Sequence, residues 1–155
     1  MRMVPGEPNI IALGLSWLSI GVAEAALDAL VQHARNRVIP TTGTPVAELQ
    51  WVTFDTADAH TELAAARLLC ERSMWIADHG DPSAMDAAVE AKLYANQVAK
   101  RVAELGLRIG GGSGFLRTSP IQRHFRDAQA GALMAWSVEV CRDAVGKRIL
   151  VTEEP

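Results

Sequence analysis

The residues best suited to chemistry lie in one stretch, Ile109–Asp127, IGGGSGFLRTSPIQRHFRD. Gly110, Gly111, Gly112 and Gly114 sit together there. Without Cβ atoms, backbone N–H groups can come close to a phosphate or a flat ring. The same glycines would equally serve a turn between helices. No Gly-Lys-Ser/Thr ends the run and no strand precedes it, so it is neither a P-loop nor a dinucleotide fingerprint. Arg123, Arg126 and Asp127 follow directly. Arg123 and Asp127 are spaced i,i+4, as in a solvated surface ion pair. Beside a glycine corner, the two guanidiniums are also placed to hold an anion.

Other candidates are weaker. Asp58 and Glu62 are spaced i,i+4 on a polar helix face, and Glu139 has Arg142 three residues on, which suits a paired structural acid. No catalytic triad can be built. His33, His60, His79 and His124 are scattered, with no metal-ligand spacing. His33 and Arg37 fall at an expected helix C-terminus, where cations are favoured. Cys70 and Cys141 lie inside apolar helical patterns and read as buried, reduced thiols.

The elements that must position these residues are helices. The chain has 155 residues, a net charge of −3 and 49% hydrophobic residues, which suits one domain with a packed core and gives no sign of a nucleic-acid partner. The apolar run IIALGLSWLSIGVAEAALDALV follows a poorly basic start and continues into an amphipathic pattern, so it reads as a buried helix rather than a leader or a membrane span. A first helix is expected from Asn9 to Arg37 and a second from Val46 to Asp78, with the breaking stretch VIPTTGTPV between them. The second has Leu49, Val52, Ala59, Leu63, Ala66, Cys70 and Ile76 on one face. A third runs from Ser83 to Ile109, with Ala88, Ala91, Ala95, Val98, Val102, Leu105 and Ile109 inward. After a glycine loop, a last helical region runs from Pro120 to Leu150.

The expected fold is an all-α, antiparallel up-down four-helix bundle over residues 9–150, with an extension at 1–8 and a tail at 151–155. Gly14, Ser19, Gly21 and Ala25 would let a neighbour approach the first helix closely. Helices one and two are apolar over more than one stripe, with Trp17, Trp51 and Trp75 adding area, so a further protein surface should cover them.

In order, GVAEAALDALVQHARNR, PVAELQWVTFDTADAHTELAAARLL, AKLYANQVAKRVAELGLRIGGGSGF and SPIQRHFRDAQ resemble the C-terminal domain of the acyl-CoA dehydrogenase superfamily. The likeness covers nearly the whole chain and is most specific at the glycine pair followed by Arg-x-x-Arg-Asp. It implies a protomer with a further helical domain and a β-domain, and FAD held between the β-domain and the bundle. The FAD pyrophosphate and adenine would reach a neighbouring subunit's bundle, in a homo-oligomer or a hetero-oligomer. The positions that match the family's FAD contacts are Arg37, Gln50, Gly111, Gly112 and Ser137. The reduced thiols suit a cytoplasmic setting, and the substrate that the resemblance implies is an acyl thioester.

Departures accompany the match. Most family dehydrogenases carry a Glu-Gly pair eight positions after the Arg-Asp, and the Glu abstracts the α-proton. Here those positions hold Ala135 and Trp136. Neither the early arginine of the first helix nor the Gln-Phe-Gly after Arg37 is present, and Arg108 replaces the glutamine before the glycine pair. Three readings follow: one domain of an FAD-dependent acyl-thioester oxidoreductase, a flavin-dependent monooxygenase domain, or a non-catalytic subunit that completes a partner's FAD site. Met134 stands near where family monooxygenases often carry a histidine, which disfavours the second. By itself the chain is expected to be catalytically incompetent.

Overall fold

A computed structural model describes residues 10–150. The expected Asn9 cap and both terminal segments lie outside the described residues. Five α-helices follow in order: α1 (Ile10–Asn36), α2 (Gln50–Asp78), α3 (Ala84–Gly114), α4 (Pro120–Leu133) and α5 (Val138–Leu150). A 3-10 turn, Val46–Glu48, precedes α2, so the second helix begins four residues later than expected. Among the described residues there is no strand, only an isolated bridge between Val38 and Pro45 that closes the loop after α1.

Side-chain contacts fix the directions. Ser19 meets Asn96 and Arg37 meets Ser113, separations of 77 and 76 residues, so α1 and α3 run parallel. Glu62 meets Arg101 and Asp55 meets Arg108, so α2 runs against α3. Trp17–Met74 and Glu24–Arg67 contacts likewise set α2 against α1. The expected α3 stripe is inside, from Ala88 to Ile109, with Leu105 partly covered. On α2, Val52, Ala59, Leu63, Ala66, Cys70 and Ile76 are buried. α2 ends at Asp78, and Gly80, two residues on, takes a φ of 66° that suits a residue without Cβ.

Several expectations need correction. The expected glycine break is shorter than a loop: α3 is interrupted at Gly111 (φ 52°, ψ −146°), and one more short helical turn runs on to Gly114. The last helical region is not continuous. It breaks at Met134–Ser137, where Trp136 takes a φ of 62°, a conformation costly for a bulky side chain. Gly14 and Gly21 face open space; the close approach to α3 is made by Ser19, against Asn96. His33 is not favoured as a cation, because burial and then the nearby Arg37 lower its pKa. Arg123 and Asp127 form no ion pair among the described residues.

The excess of apolar surface is present. On α2, Phe54, Leu68 and Trp75 are each at least 60% exposed, and Leu18 of α1 is half exposed. The α1 segment Ile11–Asn36 is long and apolar enough to cross a membrane by length and composition, yet it packs against α2, α3 and α4.

Candidate functional site

The glycine corner has an inner and an outer wall. On the inner wall, a Cβ on Gly110 would stand 3.0 Å from Ile121 Cδ1, and Cβ atoms on Gly106 and Gly114 would each stand 3.5 Å from Ile121 Cγ2. These glycines recur every fourth residue, so they form a trough along α3 that receives one α4 side chain. α4 is aimed there by its start: Pro120 opens it, and the Ser119 hydroxyl accepts the Ile121 N–H at 3.3 Å. On the outer wall, Gly111 and Gly112 are exposed, and a Cβ on either would meet nothing within 4 Å.

Of the other expected positions, Arg37 reaches that outer wall. Arg37, just past α1, donates from Nη1 to Ser113 Oγ at 3.4 Å. Ser113 in turn donates to Gly110 O at 2.8 Å. Gln50 opens α2 beside Trp51, whose ring lies 4.6 Å from the Arg108 guanidinium, one turn before Gly111. Arg108 also pairs with Asp55 at 2.8 Å, so it pins the start of α2 to the end of α3. The result is an exposed edge of bare backbone with the Arg37 guanidinium beside it, suited to an anionic, planar ligand. Arg123 and Arg126 are exposed on α4.

Ser137 stands apart. It opens α5, where its hydroxyl accepts the Val140 N–H at 3.4 Å, a helix cap. Glu139 shares a small cleft with Gln97 and Lys100. Lys100 lies thirteen positions before Ser113, about 20 Å down the bundle at the helical rise. Glu139's own backbone N–H and then the Ser137 hydroxyl hold its carboxyl below the usual value. Ala135 is exposed in the α4–α5 break and offers no proton acceptor. Met134, at the same break, helps to line a groove of about 310 Å³ between α1 and α4.

The residues alone did not single out Ser113 or the Trp51–Arg108 stack. Ser113 was visible in GGGSG as a hydroxyl inside the glycine run. Trp51–Arg108 had no local signal, because it joins two helices.

Comparison with known proteins matches this architecture. The family described as acyl-CoA dehydrogenase, C-terminal domain, matches residues 9–150. The chain is 34% identical over 138 residues to the mitochondrial short-chain specific acyl-CoA dehydrogenase of Bos taurus, covering 89% of this chain and 33% of that protein. It is 32% identical over 138 residues to the acryloyl-CoA reductase (NADH) of Anaerotignum propionicum, covering 89% of this chain and 34% of that protein. Butyryl-CoA dehydrogenase from Megasphaera elsdenii superposes with a TM-score of 0.84 at 31% identity, over 90% of this chain and 36% of that one. The chain thus spans about a third of the length of these relatives.

Proposed function

Since this chain belongs to the family of acyl-CoA dehydrogenase C-terminal domains, we propose that it is the FAD-contacting and subunit-joining part of an acyl-CoA dehydrogenase-like flavoprotein oxidoreductase. The observation that carries the reading is the outer wall of the glycine corner, Gly111–Gly112, open to solvent with Arg37 beside it. A Cβ-free edge admits a dinucleotide backbone, and a guanidinium suits its pyrophosphate. Arg37, Gln50, Gly111 and Gly112 would hold that end of FAD. When bound, FAD supplies the hydride acceptor for oxidation of an acyl thioester. Ser137, capping α5 further down the bundle, is the remaining candidate contact.

The chain supplies only part of that machinery. Arg37 binds, Gln50 orients, and the exposed apolar faces of α1 and α2 join neighbouring protein in a homo-oligomer or hetero-oligomer of cytoplasmic setting. The test is direct: purify the chain, add FAD and an acyl-CoA, and follow reduction of an electron acceptor. No turnover is expected, and clear turnover refutes the reading.

Ala135 and Trp136 favour a second reading. A methyl group takes no proton, and an indole follows it in the break. The chain would then be a non-catalytic subunit that completes the FAD site of an active partner. A colourless chain that forms a flavin-bound complex with a partner, and in which only the partner's active-site substitutions stop turnover, supports this second reading over the first.

A further inference from the structure

Lys92 is fully buried in α3, and its Nζ lies 3.4 Å from Gly131 O. Gly131 is in the last turn of α4, where carbonyls have no partner within their own helix. Met134 N–H takes up Ala130 O at 3.1 Å, and the next carbonyl, on a buried residue, takes Lys92. On the far side of the break, fully buried Cys141 of α5 donates from Sγ to Trp136 O at 3.4 Å. No carboxylate forms an ion pair with Lys92 among the described residues. A methionine or leucine would fill the volume without the cost of desolvating an ammonium, so packing alone gives no reason for a lysine here.

We propose that Lys92 is a positioning residue: from inside the core it caps the C-terminal end of α4 and so fixes the place of Met134–Ser137. Burial lowers the Lys92 pKa, and the partial negative charge of the helix end works against that, favouring a cation at that point. The segment it fixes contains Ala135 and Trp136, the positions at which the family resemblance places catalytic chemistry. The consequence for catalysis therefore rests on the reading above, whereas the positioning itself does not and is tested without flavin or substrate.

The test uses amide hydrogen exchange, read by NMR on the 155-residue chain, comparing the wild type with Lys92→Met. Losing a charge-assisted bond to Gly131 O should speed exchange of the Met134 amide and its neighbours in the break by at least about tenfold. The middle of α2 and the thermal midpoint should not be destabilised. Unchanged exchange at the break overturns the proposal, and so does equal acceleration throughout the bundle. If the variant does not fold, the wild type decides: close nuclear Overhauser contacts from the Lys92 ammonium to Gly131, with slowed ammonium proton exchange, support the cap. An ammonium without such contacts, or in free exchange with water, overturns it.

Discussion

Gly111 and Gly112 are neighbours with opposite reasons to be glycine, and replacing each by alanine separates those reasons. Gly111 has φ 52° and ψ −146°. A Cβ in so sparsely populated a region costs about 1–3 kcal/mol. The smaller entropy of the unfolded chain offsets about 0.4–1 kcal/mol of that. Gly111→Ala should therefore lose about 1–2 kcal/mol. Gly112 is helical, with nothing within 4 Å of its added Cβ. Gly112→Ala should gain about 0.4–1 kcal/mol by restricting the unfolded chain. For a chain of this size, the two midpoints should differ by about 4–10 °C in thermal unfolding followed by circular dichroism. Gly110→Ala falls between them: its Cβ would press on Ile121 Cδ1 at 3.0 Å, but that is the free end of a flexible side chain. A Gly111 variant as stable as the Gly112 variant would refute the division into inner packing, backbone break and open edge.

Ser137→Ala should lose about 1 kcal/mol with its cap, and the Glu139 titration followed by NMR should move up as its hydroxyl partner disappears. Acid should destabilise the fold before its carboxylates titrate. Burial, followed by the neighbouring Arg37 and Arg123 respectively, lowers the pKa of His33 and His124. The unfolded chain therefore takes up their protons first, and their stabilising contribution, present above about pH 6.5, is lost as pH falls through the lowered values. Melts between about pH 6.5 and 5 should show this slope, and replacing both by Gln should flatten it. In the complete flavin-bound assembly, Arg37→Ala should weaken FAD retention by about 1.5–3 kcal/mol, measured by flavin release on dilution; unchanged retention removes Arg37 from the site.

The buried stripes of α2 and α3 were legible because a core imposes a three-four period on whatever packs against it. The glycine run was legible as a break but not as packing, because the same residue serves free φ, as at Gly111, and a missing Cβ, as at Gly110. Only the spacing of Gly106, Gly110 and Gly114, set against Ile121, separates the two. The break at Met134–Ala135–Trp136–Ser137 contains no glycine or proline, and Ser137 as a capping residue was its one sign. Lys92 looks like a surface residue in any pattern of polarity, because its acceptor is a backbone carbonyl on another helix. The meeting of Arg37 with Gly111–Ser113 depends on the parallel course of α1 and α3, which no local pattern encodes. It was reached through the family resemblance.

α5 rests mainly on one neighbour, α3. Val138 and Cys141 are its buried residues, Arg148 ties its far end to Asp86 and Glu90, and Ile149 and Leu150 point outward. A segment anchored so lightly opens on its own energy scale, ahead of the cooperative unfolding of the other helices. The small cleft it closes over Gln97 and Lys100 therefore exists only while α5 is seated, and its lifetime is set by that one helix rather than by the stability of the whole molecule.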